Sequence, residues 1–233
     1  LMVRSMKGGN DWGWTENVGG ADYLRLFNVD GKRVPHIAMQ ANYQRTGPCL
    51  TETTYSGGIG NTGIQHQVSV SIARSNDVIM GTYRIRMQIS KPLDYSRFVI
   101  FQTAADSYAT TRDRKFAVGN LNSLEQEWTT RSNKGSAQTP SPVLKTVELT
   151  GPTAWVSLHD TEQSSDKKGA LASRGFVVRE WKAKLGGKAA NPWITEHFLP
   201  SKECSNMDLV PPPSLTRLLP GDFVHATIEH VIL

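Results

Sequence analysis

The feature that most constrains this chain is its hydrophobic period, which is two along most of its length. Over residues 65–73, His66, Val68, Val70 and Ile72 fall on one side and Gln65, Gln67, Ser69 and Ser71 on the other. Over 82–90, Tyr83, Ile85, Met87 and Ile89 alternate with Thr82, Arg84, Arg86, Gln88 and Ser90. Side chains alternate in this way across a strand and not along a helix, so the two stretches predict a hairpin turned at Ser75-Asn76-Asp77. Further strands are expected at 23–28, 34–41, 50–55, 97–103, 143–149, 155–158, 175–183, 193–198 and 223–233. The glycine-rich run 56–63 reads as a loop, and 210–213, with Pro211-Pro212-Pro213, as a stiff extended connector. The stretch 104–142 is poor in aliphatic residues. Within it 132–142 reads as a loop, and 121–128, with Asn120 or Asn122 as cap, as the one short helix. No alternation of strands with helices is present, which excludes doubly wound nucleotide folds. The expectation is an all-β chain: one antiparallel β-sandwich domain over 1–233, of jelly-roll or larger type, with long loops.

Composition narrows the partners. The 233 residues include six tryptophans and only 20% charged residues, which argues against disorder. No stretch of 18 apolar residues exists, so no membrane-spanning helix is expected. The net charge is +5, but Lys and Arg are scattered, and the densest run, Arg112-Asp113-Arg114-Lys115, contains its own acid. Nucleic-acid binders concentrate their cations, so nucleic acid is not an expected partner, whereas mild basicity suits an acidic polysaccharide. Cys49 and Cys204 show no C-x-x-C and no histidine at metal spacing, so neither metal nor cofactor is expected. The two cysteines form one long-range disulfide if the protein is exported, or two buried thiols. The start at Leu1 and the end at Val231-Ile232-Leu233 both look cut, which predicts a piece of a longer protein, with other domains as partners.

Candidate functional residues follow from direction and loop position. The outward rows of the hairpin bring Gln65 and Gln67 beside Arg84 and Arg86, with no carboxylate among them. Planar amides and guanidinium groups match sugar hydroxyls and carboxylates, the latter bidentately. A solvated sheet face is the plain alternative. Asp106-Ser107-Tyr108 with Arg112 sits in the polar stretch after a buried strand, where functional residues concentrate. A tyrosine flanked by arginines has the parts for β-elimination: the cations neutralise a uronate, and the phenol moves the α-proton. His66, at a strand end beside the glycine run, is a second proton carrier or a core histidine. Trp12 and Trp14 offer stacking platforms for sugar rings, or lids on a sandwich edge.

Gln65, His66, Arg84, Arg86 and Tyr108 resemble in type the Arg, Gln, His and Tyr that jelly-roll polysaccharide lyases display on a concave sheet. The resemblance is to β-sandwich modules of carbohydrate-active enzymes, and it covers residues 65–108 best. It implies an extracellular or periplasmic polysaccharide-processing module, a lyase on a uronic-acid glycan. Catalysis would rest on Tyr108, His66 and Arg112, and substrate binding on Arg84, Arg86, Gln65, Gln67, Trp12 and Trp14. A non-catalytic carbohydrate-binding or structural β-domain of a larger protein or surface assembly is the alternative.

Overall fold

Residues 4–7, 11–14, 21–75, 78–106, 114–121, 123–129, 143–160, 174–199 and 204–232 are described by a computed structural model. The strands run β1 (Arg4–Lys7), β2 (Asp11–Trp14), β3 (Asp22–Phe27), β4 (Arg33–Val34), β5 (His36–Thr46) and β6 (Leu50–Ile59). Then come β7 (Ile64–Ser75), β8 (Val78–Ile89), β9 (Leu93–Asp94), β10 (Arg97–Asp106), β11 (Arg114–Asn120), β12 (Ser123–Thr129) and β13 (Val143–Glu148). The last are β14 (Ala154–Asp160), β15 (Arg174–Leu185), β16 (Lys188–Ala189), β17 (Trp193–Leu199), β18 (Cys204–Val210), β19 (Arg217–Leu218) and β20 (Phe223–Ile232). No helix occurs among the described residues.

Ten strands form the larger sheet, in the order β12-β11-β14-β15-β20-β8-β7-β6-β5 with β16 beside β15. Six form the smaller one, β13-β17-β18-β10-β3-β4, and β1–β2 and β9–β19 make two short ribbons. Pairing is antiparallel throughout, as the hairpin signals require. The inward rows of the two sheets share one core. Phe101 of the smaller sheet sits 5.0 Å from the ring of Tyr83 and 5.3 Å from that of Phe176 on the larger. Val68, Ile85, Met87, Val224 and Ile228 lie fully buried around them. At roughly 1.5–3 kcal/mol for each large apolar side chain removed from water, this shared layer is what holds sheet to sheet.

Three expectations are corrected. The stretch expected to be a short helix, 121–128, is β12. It folds back on β11 so that Trp128 stacks on Phe116 at 4.6 Å, and its indole N–H donates to Glu196 at 2.6 Å. The glycine run is not a loop throughout: Gly57 and Gly58 continue β6, and only residues 60–63 turn. Glycine is needed there because the irregular stretch of the paired strand β5 lies so close that a Cβ on Gly57 would be 2.6 Å from Met39 Sδ and 2.8 Å from the Ile37 carbonyl. Third, Cys49 is a free, exposed thiol at the turn between β5 and β6, on the edge of the larger sheet. Cys204 belongs to β18 in the other sheet. With Cys49 free the bridge expected of an exported protein is not made, and Cys49 is not a buried thiol either.

Candidate functional site

The hairpin β7–β8 has the expected parity. Gln65, Gln67, Arg84, Arg86 and Gln88 are exposed, whereas His66, Val68, Ile85 and Met87 are buried. Cross-strand register then decides which residues meet. Gln67 lies opposite Arg86, Gln65 opposite Gln88, and Ser69 opposite Arg84. On its other side β8 pairs with β20, which sets His225 beside Arg86, Phe223 beside Gln88 and Thr227 beside Arg84. β15 follows, placing Lys182 beside His225 and Lys184 beside Phe223. One row across five strands therefore reads Lys182, His225, Arg86, Gln67, Ser56. Four inter-strand spacings make it roughly 19 Å long.

Carboxylates enter this face only toward one end. A bulge between Val178 and Glu180 brings Glu180 opposite Thr227, whose hydroxyl donates to it at 2.8 Å. Glu229 is bound by Arg179 at 2.6 Å, and Glu52 by Arg45 at 3.0 Å. Among the described residues no carboxylate comes within ion-pair distance of Arg84, Arg86, Lys182 or Lys184. The acids on this face thus already have partners, and the four cations face solvent with amides and hydroxyls between them. Lys182, Lys184 and His225 escaped the sequence reading because their strands are joined to β8 only through long-range pairing. The alternation of β15 and β20 could mark them as outward, but nothing local says which strand they adjoin.

His66 is on the opposite face of β7 from these groups. It is 5% exposed, and its Nε2 lies 3.0 Å from His36 Nδ1, with the Tyr23 ring edge-on to both imidazoles. Its Nδ1 is buried without a hydrogen-bond partner. A ring N–H without an acceptor costs more than an idle lone pair, so His66 carries its proton on Nε2 and donates to His36. His36 in turn bonds the Tyr23 backbone. Burial, and then the neighbouring His36, hold His66 down to about 4. Burial likewise lowers His36 and pushes Tyr23 up to about 12. This cluster is neutral at ordinary pH and closes the core.

Trp12 and Trp14 stand in β2, opposite Met6 and Arg4 of β1. Tyr108 and Arg112 lie outside the described residues, and so does the region between them. No group of three or more potential metal ligands gathers among the described residues.

The sequence matches no protein-family model and no curated protein sequence. Solved structures that resemble the chain include α-galactosidases. The enzyme from Lactobacillus brevis is 12% identical, with a TM-score of 0.48 over 98% of this chain and 30% of its own. The GH36 enzyme AgaA from Geobacillus stearothermophilus is 11% identical, with a TM-score of 0.46 over 91% of this chain and 30% of its own. The chain spans less than a third of the length of these two enzymes.

Proposed function

We propose that this chain is a carbohydrate-binding β-module that holds a uronic-acid glycan on the outer face of the larger sheet. The observation that carries this reading is the row Lys182, His225, Arg86, Gln67 with Lys184 and Arg84 beside it, in which no cation is spent on a carboxylate. Guanidinium and ammonium groups meet sugar carboxylates, the glutamine amides meet hydroxyls, and the row across the strands is long enough for several sugar residues of an extended chain. Binding rather than turnover is the reading the face supports. Of the proton carriers named for β-elimination, His66 is inside the sandwich, on the opposite side of β7 from this face.

Titration calorimetry with polygalacturonate and alginate, against neutral dextran, tests it. The acidic polymers are expected to bind at low salt and to lose most of their affinity near 1 M salt, where the screening length falls to about 3 Å. Equal affinity for dextran would overturn the assignment of the face. A growing ultraviolet absorbance from unsaturated uronides would replace binding by the lyase reading.

A further inference from the structure

The smaller sheet carries a second polar array, on the side turned away from the core. Asp22, Gln102, Asp208, Thr195 and Thr146 are successive cross-strand neighbours on β3, β10, β18, β17 and β13. An outward polar row is ordinarily solvated, yet Asp208 is 1% exposed, Gln102 6% and Thr195 8%. Arg97 pairs with Asp208, Gln102 donates to the other oxygen of the same carboxylate, and Arg25 donates to Gln102. The chain makes room for the two arginines at Leu24. Its φ of 51° resets the alternation of β3, so that Leu24 and Leu26 go to the core while Arg25 lies over the ring of Phe27. Arg97 covers the same ring.

Beside this array lies a cleft of ≈ 280 Å³. Arg97, Asp208, Thr146 and Thr195 form its polar side, and Val210, Pro211, Pro212, Pro213 and Leu215 an apolar wall. We propose that the cleft binds a single neutral sugar residue, at a site separate from the face that takes the acidic polymer and independent of that assignment. Charge excludes an acid as the preferred ligand, because the lining holds one guanidinium and one carboxylate and these neutralise each other. Size admits one ring: the volume is at the lower limit of small-molecule sites. The prolines offer a rigid surface for the C–H face of a pyranose, with little side-chain entropy to lose. The Thr146 and Thr195 hydroxyls, 3.0 Å apart, spend one proton between them and keep the other, with their lone pairs, for adjacent sugar hydroxyls.

Titration of the isotope-labelled chain with galactose, glucose, mannose and glucuronate tests the proposal. A neutral hexose is expected to give saturable amide shifts at Thr195 and Val210. Thr146→Val should weaken that binding about fivefold or more, and Leu215→Trp, which fills the cleft, should remove it. Arg86→Ala with Lys182→Ala should leave it intact, which separates this site from the acidic-glycan face. No saturable shift at Thr195 or Val210 with any neutral sugar, or tighter binding of glucuronate, would overturn it.

Discussion

A carbonyl oxygen waits 2.3 Å from where Gly175 would carry a Cβ: the backbone of Val156 on the paired strand β14 lies so close there that a methyl group has no room. Both partners are main chain, so neither can give way cheaply. Gly175→Ala is expected to cost about 1–3 kcal/mol, read as a lowered denaturation midpoint at unchanged slope. Titratable residues set the response to acid. An imidazole held below its usual 6.5 binds its proton less readily folded than unfolded, so unfolding takes up protons and stability rises with pH across that window. The window runs from about 4 for His66 and from about 3 for His230, both lowered first by burial. Glu196 acts oppositely: burial raises it from 4.5 to about 6, so its contribution falls as pH rises between those values. Two imidazoles outweigh one carboxyl, and the fold should lose a few kcal/mol between pH 6.5 and 4. Urea midpoints across that range check the sign; a midpoint that climbs on acidification contradicts it.

At the scale of elements, β12 shows what tertiary packing adds. Its polar sequence and asparagine cap suit a helix locally, but Trp128 makes it a strand by stacking on Phe116 and donating to Glu196. Trp128→Phe keeps the ring and removes the donor. Glu196 already has one buried oxygen without a hydrogen bond, so the change should cost about 1–3 kcal/mol and raise its pKa further. A carboxyl titration by infrared or carbon NMR reads that shift directly, and no movement of Glu196 would refute the bond's role. The parity of β7 and β8 was legible because Val68, Tyr83, Ile85, Met87 and Ile89 are buried on one face, and a one-residue slip would expose Ile85 and Met87 together. β18 was not legible, since Asn206 and Asp208 look like loop residues until their burial in the second sheet is known. Gly57 and Gly58 misled for a related reason: glycine marks a close approach of neighbouring backbone as well as a turn.

The whole molecule presents two unlike outer faces. The larger sheet shows an open basic and amide surface, and the smaller one a paired, nearly buried network beside a cleft. What the sequence contained of the first was half of it, the two hairpin rows. The other half arrives only when β20, more than a hundred residues away, pairs with β8. Arg86→Ala with Lys182→Ala is therefore expected to weaken an acidic oligosaccharide roughly five- to tenfold, each exposed contact contributing up to about 1 kcal/mol. Calorimetry at low salt measures the loss, and unchanged affinity would remove both residues from the surface. The most direct test of the face itself is a chemical-shift map with an oligogalacturonate at low salt. The account predicts perturbations along Lys182, His225, Arg86 and Gln67, fading toward Glu229 and Glu180 and absent from His66 and the core. Shifts that avoid this row, or none at saturating ligand, would contradict it.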